Sequence, residues 1–350
     1  MAKNTSPVTI GCDLGDKKSS LCVLWPNGKR ERPEPIKTTR EAFRRFFTRA
    51  PAHVVIEVGT HSRWVNSLLQ EMGHRVTVAN ARRVKLISQN DSKTDQVDAE
   101  LLARLGKADA ELLAPIHHRG MDAQADLAVP KARDALVRCR TRLVNTCRGL
   151  VKSFGEKLPK CSAESFHRKA KEHVPALLRP ALEPVFDALE EIDASIDRAD
   201  RAIVQLAKKY EDVEVLSQPN GVGVLTALVF LLTLERSDRF ARSRSVGAFI
   251  GLRPRKSQSG EEDPELRITK AGNPFLRRLL VQSANYILGP FGADSDLRRW
   301  GLELAKRGGK KARRRAKVAV ARKLAVLLHR LWVTGEEYQP LGYRQKIAAA

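Results

Sequence analysis

Asp95 and Asp98 stand three residues apart at the head of a helical pattern that continues through Leu101, Leu102 and Leu105. Residues at that spacing share a helix face, so the two carboxylates either repel each other or hold a divalent cation between them. The plain alternative is helix-start chemistry, with Ser92 or Thr94 as the cap and acids favoured by the dipole in the first turn. Two further acids sit where they could join the pair: Asp13 near the end of the first strand pattern and Glu57 closing the apolar run His53–Glu57. Four oxygen-donor side chains suit Mg²⁺, and two such ions ~3.5–4 Å apart can stabilise both the attacking and the leaving oxygen of a phosphodiester displacement. A different kind of chemistry is suggested by Ser259, in the basic stretch Arg253-Pro254-Arg255-Lys256-Ser257-Gln258-Ser259-Gly260. A hydroxyl among arginines could attack a phosphate. With no histidine beside it, it is not an acyl-transfer nucleophile.

The elements that must position these groups can be read from periodicity. Residues 8–14 and Ser20–Trp25 alternate as strands, and a third strand is expected near Glu34–Thr38. Thr39 caps a helix to Phe47; His53–Glu57 reads as a strand buried on both faces, followed by a helix Ser62–Met72 and a strand Arg75–Ala79. A short helix Ala81–Ser88 and a loop Asp91–Lys93 then lead into the Asp95/Asp98 helix, which fades near Gly106. The order β-β-β-α-β-α-β-α-α is that of a ribonuclease H-like mixed sheet with helices. It puts Asp13, Glu57 and the Asp95/Asp98 pair on the elements from which such folds gather carboxylates, ligands collecting at the carboxyl ends of strands.

Composition narrows the partners. The 350 residues carry 63 Lys and Arg against 40 Asp and Glu, a formal net charge of +23. Self-repulsion on that scale calls for a polyanion, and nucleic acid is the expected partner. Aromatics are only 5%, which argues against binding dominated by base stacking. No apolar run approaches a membrane span and the N-terminus carries no apolar leader, so a cytoplasmic protein without membrane attachment is expected. The five cysteines (Cys12, Cys22, Cys139, Cys147 and Cys161) have no metal spacing and read as reduced.

From Asp122 the pattern is helical, with Pro130 expected to interrupt or kink it. Leu136, Cys139, Leu143, Cys147, Leu150 and Phe154 form one stripe, and a second runs from Leu182 to Tyr210 in alternating steps of three and four. The second is a coiled-coil seam; the expected arrangement is an antiparallel hairpin that also makes a homo-oligomer. A further region opens near Val213. Gly221-Val222-Gly223 before the apolar helix Val224–Leu234 resembles the turn of a helix-hairpin-helix module, whose exposed N–H groups suit a phosphate. Arg253, Arg255, Lys256 and Lys270 flank the serine, and a basic run includes Lys310, Lys311, Arg313, Arg314 and Arg315 after a bend at Gly308-Gly309. Such a density of like charge reads as a phosphate-binding surface. The chain therefore divides into residues 1–112, 113–212 (coiled coil), 213–335 and a tail, 336–350: an α/β domain, a long helical hairpin and a mostly helical domain.

Taken together, Gly11-Cys-Asp-Leu-Gly15, Ile56-Glu-Val-Gly-Thr60, Ser92-Lys-Thr-Asp-Gln-Val-Asp-Ala99, Gly221-Val-Gly223 and Gly251-Leu-Arg-Pro-Arg255 through Gln258-Ser-Gly260 to Ile268-Thr-Lys-Ala-Gly272 resemble the DEDD transposases of insertion sequences related to the Piv DNA invertases. The resemblance implies a RuvC-like N-terminal domain, with Asp13, Glu57, Asp95 and Asp98 as the acidic tetrad holding Mg²⁺ or Mn²⁺. It also implies a C-terminal transposase domain whose nucleophile is Ser259 rather than Ser257. On this reading DNA is cut and rejoined through a covalent seryl–DNA intermediate, guided by a noncoding bridge RNA, in the nucleoid of a prokaryote. Two other functions compete with it: a structure-selective nuclease using metal-activated water, and a non-catalytic nucleic-acid-binding scaffold.

Overall fold

A computed structural model describes residues 8–80, 94–259, 264 and 266–342. Two compact units divide the chain, Met1–Arg119 and Gly120–Ala350. In the first, β1 (Thr9–Leu14), β2 (Lys18–Leu24), β3 (Arg30–Glu31), β4 (Ile36–Lys37), α1 (Arg40–Phe47), β5 (His53–Glu57), α2 (Ser62–Glu71), β6 (Arg75–Ala79) and α3 (Asp95–Ala108) follow in order. The sheet runs β3-β2-β1-β5-β6, with β4 also on β2. β1 is antiparallel to β2 and parallel to β5, which is parallel to β6.

Alternation along β1 sends Ile10 and Cys12 into a core shared with Phe43 and Phe47 of α1 and with Val65, Leu68 and Leu69 of α2. The opposite face is covered by α3, where Ala99 and Ala103 meet Cys22 and Leu24. The expected third strand near Glu34–Thr38 is present as β4, two residues long, and β3, a further two-residue piece that the sequence did not suggest, also pairs to β2. Pro33 and Pro35 lie between them, and a residue without an N–H cannot extend the ladder. Thr39 caps α1 as expected, its side chain accepting from the Ala42 N–H. The expected helix Ala81–Ser88 and loop Asp91–Lys93 lie outside the described residues.

The second unit is helical: α4 (Met121–Ser153), α5 (Phe166–Ala170), α6 (Arg179–Ala207), α7 (Asp212–Ser217), α8 (Val224–Leu234), α9 (Arg244–Phe249), α10 (Pro274–Ile287), α11 (Asp296–Lys306) and α12 (Gly309–Thr334). α8 is buried from Thr226 to Leu234 and forms the centre of a core with α10 and α12. Leu127 of α4 and Ile203 of α6 join the same core, so the base of the helical hairpin is packed into this unit. Pro130 does not interrupt α4, which runs through it. Pro130 is itself buried and its neighbours Leu127 and Val129 are held in the core, which offsets the lost backbone bond. The described part of the tail is tied down, with the Tyr338 N–H bonded to Gln218 Oε1 at 2.6 Å and the Asp296 N–H to the Pro340 carbonyl at 2.8 Å. All five cysteines are free.

Within one chain α4 and α6 are antiparallel. Arg133 meets Asp200 at 2.8 Å and Arg140 meets Asp193 at 2.6 Å, so numbers rise on one helix as they fall on the other. Leu182, Leu189 and Ile196 are buried along the seam. Arg140 is buried, bonding also to Glu164 at 2.9 Å, and His167 Nδ1 lies 2.9 Å from the Asp193 carboxylate. Asp193→Ala removes the less exposed of the two counter-charges on this buried guanidinium. Its expected cost is about 3 kcal/mol of unfolding free energy, read by denaturant titration of the full chain.

Candidate carboxylate site and serine loop

The register of the sheet brings two of the four acids together. Cys12 pairs with Ile56 across β1 and β5. Asp13 and Glu57, each one residue further, therefore end neighbouring parallel strands, which are spaced ~4.8 Å apart. Both point to the α3 face, because each lies two residues beyond a residue that meets α3. A Cβ placed on Gly11 would lie 1.9 Å from the Ala99 carbonyl, and Val55 packs with Leu102. The glycine at position 11 is what lets α3 approach the sheet this closely.

α3 runs opposite to β1. Gln96, near its start, bonds to the Leu21 carbonyl at 2.9 Å, and Leu21 pairs with Cys12. Lys107, near its end, bonds to the Trp25 carbonyl at 2.9 Å, beyond the other end of β2. Asp95 and Asp98 thus stand at the same end of the sheet as Asp13 and Glu57. The helix also has two flanks. Gln96, Glu100 and Lys107 face β2 and β3, while Asp98 lies one turn before Leu102, which packs on Val55, Ala79 and Leu113 on the β5–β6 side.

Asp95 is exposed in the first turn, and Thr94 caps the helix by accepting from the Val97 N–H at 3.3 Å. Asp13 and Glu57 are half-buried. Asp98 is 4% exposed, and its Oδ1 is buried with no hydrogen-bond partner. A carboxylate oxygen in that position is costly unless a donor or a cation reaches it. Among the described residues, no three His, Cys, Asp or Glu side chains converge closely enough to hold an ion. The four acids are collected at one end of the sheet without being drawn into a coordination set, as expected of like charges that repel. An all-oxygen donor set with one buried, unpartnered oxygen fits a hard divalent cation. Cys12 is no competing ligand, because burial, and then the charge of Asp13, push its thiol well above the ordinary range.

Ser259 lies in the second unit, exposed beside Ser257 and Gln258. Its loop has a paired stem: the Arg255 N–H bonds to the Arg267 carbonyl at 3.0 Å and the Thr269 N–H to the Arg253 carbonyl at 2.9 Å. Gly251 and Gly272 close the stem backbone to backbone. Gly251 has φ +80°, and a Cβ on Gly272 would come within 2.0 Å of the Phe249 carbonyl. Arg277 of α10 braces the base, its Nη1 donating to the carbonyls of Ile250 at 2.8 Å and Gly272 at 3.2 Å. Asn273 caps α10 by accepting from the Phe275 and Leu276 N–H groups. Sequence reasoning missed Arg277; only the Asn-Pro start of its helix was legible. Arg253, Arg255, Lys256 and Lys270 are all exposed on or near this stem. Gly260 to Asp263 lie outside the described residues.

Comparison with known proteins bears on both regions. The family model of DEDD transposases of the IS110 type matches residues 10–155, and that of the transposase IS116/IS110/IS902 family matches residues 213–291, together well over half of the chain. The chain belongs to the IS110 family of DEDD transposases. It is 28% identical over 342 residues to the transposase for insertion sequence element IS1111A of Coxiella burnetii, covering 94% of this chain and 91% of that protein. A putative transposase, y4pF/y4sB, of Sinorhizobium fredii is 27% identical over 343 residues, 95% of this chain and 86% of its own. The transposase for insertion sequence element IS1328 of Yersinia enterocolitica is 27% identical over 282 residues, 79% of this chain and 82% of its own. The protein is a DNA transposase, an enzyme of a family that uses a divalent metal. No helix among the described residues is long and apolar enough to cross a membrane.

The remaining predicted contacts of the transposase separate by geometry. Gly221, at φ +89°, is required by packing, since a Cβ there would meet Tyr286 at 3.0 Å and Ile287 at 3.1 Å. Gly223 precedes α8 with no side-chain cap and open space around it. The basic run opens a single long helix, α12, which continues to Thr334. Lys310, Lys311, Arg313, Arg314 and Arg315 are exposed on its first turns, where there is no acid. Cations at a helix N-terminus oppose the dipole, a conflict that a bound phosphate relieves.

Proposed function

We propose that this transposase cuts and rejoins the DNA of its insertion sequence with an acidic tetrad, Asp13, Glu57, Asp95 and Asp98, on a ribonuclease H-like (RuvC-like) unit and a serine nucleophile, Ser259, on the second unit. The observation that carries the reading is the buried, unpartnered Oδ1 of Asp98, at the same end of the sheet as Asp13, Glu57 and Asp95. The four acids would hold Mg²⁺ or Mn²⁺, which when bound supplies Lewis-acid stabilisation of charge on phosphoryl oxygens.

Ser259 Oγ attacks the phosphorus. An O–P bond forms as the bond from phosphorus to the leaving strand's oxygen breaks, the serine's proton ending on that oxygen; a second strand's hydroxyl later displaces the serine, which takes back a proton. Exposure of Ser259 in a loop with a rigid stem leaves it open to a DNA strand. Arg253, Arg255, Lys256 and Lys270 would hold phosphates beside it. Gly223 and the N-terminal turns of α12 would hold others further off. The surplus of 23 positive charges suits DNA together with a noncoding bridge RNA that selects the sites. Homo-oligomerisation through the hairpin and residence in the nucleoid of a prokaryotic cytoplasm complete the proposal.

The test is to quench the full chain with Mg²⁺ and DNA bearing its element's ends in denaturant, and to map the nucleotide-bearing peptide by mass spectrometry. Attachment at Ser259 is expected. Attachment elsewhere, or cleavage with no adduct, refutes the serine assignment.

A further inference from the structure

A group of arginines on the first unit is used by nothing described so far. Glu100 of α3 is 8% exposed and takes one guanidinium on each oxygen, Arg30 Nη1 on Oε1 and Arg32 Nη2 on Oε2, both at 2.6 Å. Arg104 approaches Oε1 at 3.9 Å.

Three cations then share one carboxylate, and all three are more than half exposed: 53%, 56% and 62% of their side chains. Each guanidinium carries five N–H donors, and Glu100 can use only a few of them. The backbone beneath is held in register. β3 pairs to β2 with Leu24 opposite Arg30, the turn closes through Gly28 N–H to the Trp25 carbonyl at 3.0 Å, and Lys107 ties that turn to α3. Arg30 and Arg32, anchored this way, have lost rotamer freedom before any ligand arrives, so little remains to be lost on binding phosphate.

We propose that Arg30, Arg32 and Arg104, oriented by Glu100, form a clamp for the phosphodiester backbone of duplex DNA on the β2–β3 flank of α3, the flank opposite to that of Asp98. It rests on the transposase handling DNA, and not on which residues perform the chemistry. The competing role is a charged border that keeps a short edge strand from pairing with another sheet.

The experiment measures binding of the full chain to a fluorescent duplex DNA of mixed sequence, and to the matching RNA duplex, across a range of NaCl. Each lost phosphate contact lowers the slope of log K against log salt by about 0.9. Arg104→Gln leaves both short pairs to Glu100 intact; it is expected to keep its melting temperature and to lose about one unit of slope on DNA. The double variant Arg30→Gln/Arg32→Gln is expected to lose about two units. Glu100→Gln keeps all three cations and should hold the wild-type slope. Unchanged DNA slopes in a folded Arg104→Gln overturn the clamp in favour of edge protection, and slope changes on RNA alone overturn the assignment to DNA. The assay reads binding alone and needs no cleavage, so failure of the proposed chemistry leaves these slopes unchanged and failure of the clamp does not.

Discussion

Asp98→Asn is expected to abolish strand cleavage, by about a thousandfold or more, without lowering the melting temperature. The substitution keeps the shape of the side chain and removes its charge. In the protein the Asp98 Oδ1 is buried with no donor facing it, at an end of the sheet that also carries Asp13, Glu57 and Asp95. Replacing an ionised oxygen there by an amide relieves desolvation and like-charge repulsion, so stability should hold or rise. The same change removes an oxygen donor that a divalent ion needs, so cleavage should be lost while DNA binding is kept. A variant that still cleaves DNA at the wild-type rate would show that Asp98 has no part in cleavage, and one that melts several degrees lower would show that its carboxylate is stabilised in the fold. The scaffold function predicts instead that Asp98→Asn changes neither recombination nor DNA integrity.

Ser259→Ala is the second large effect. Ser259 is exposed in a loop whose stem is held by Gly251, Gly272 and Arg277, none of which it touches in the bonds that define that stem. Loss of one hydroxyl should therefore leave the melting temperature unchanged. Strand joining should fall about a thousandfold or more and the DNA–protein adduct should vanish, because an activated nucleophile has no substitute in the same place. Gel separation of denatured reaction products reads both. If cleavage persists in Ser259→Ala and fails in Asp98→Asn, water is the nucleophile and the protein is a structure-selective nuclease. Ser257→Ala should leave both readouts at wild-type level.

Much of the first unit was legible because strand alternation and helix periodicity are local. Ile10 and Cys12 against Gly11 and Asp13, the apolar run ending at Glu57, and Thr94 before Asp95 each mark their element within a few residues. Where sequence reading failed, a distant contact had decided the outcome. The two-residue β3 before Pro33 carried no strand pattern of its own, and it forms because β2 offers it partners. Pro130 looked like a helix interruption, and burial of its neighbours in the second unit's core carried α4 through it. Nothing local in the sequence marks the role of Glu100. Its partners Arg30 and Arg32 lie about seventy residues away and were invisible to any local pattern.

The sequence by itself determined the element order of the first unit, the charge that calls for nucleic acid, the family motifs, and the residues able to do chemistry. Those follow from side-chain type and from periods of two and 3.6 residues, which the local chain specifies. Tertiary structure alone decided that α3 lies antiparallel on β1 over Gly11, and so which end of the helix meets Asp13 and Glu57. It also decided that Asp98 is buried with an unpartnered oxygen while Asp95 is exposed, and that Glu100 turns to the other flank and gathers arginines. Burial and partnership depend on surfaces brought together from distant parts of the chain, and they separate three acids that sequence spacing alone would treat alike.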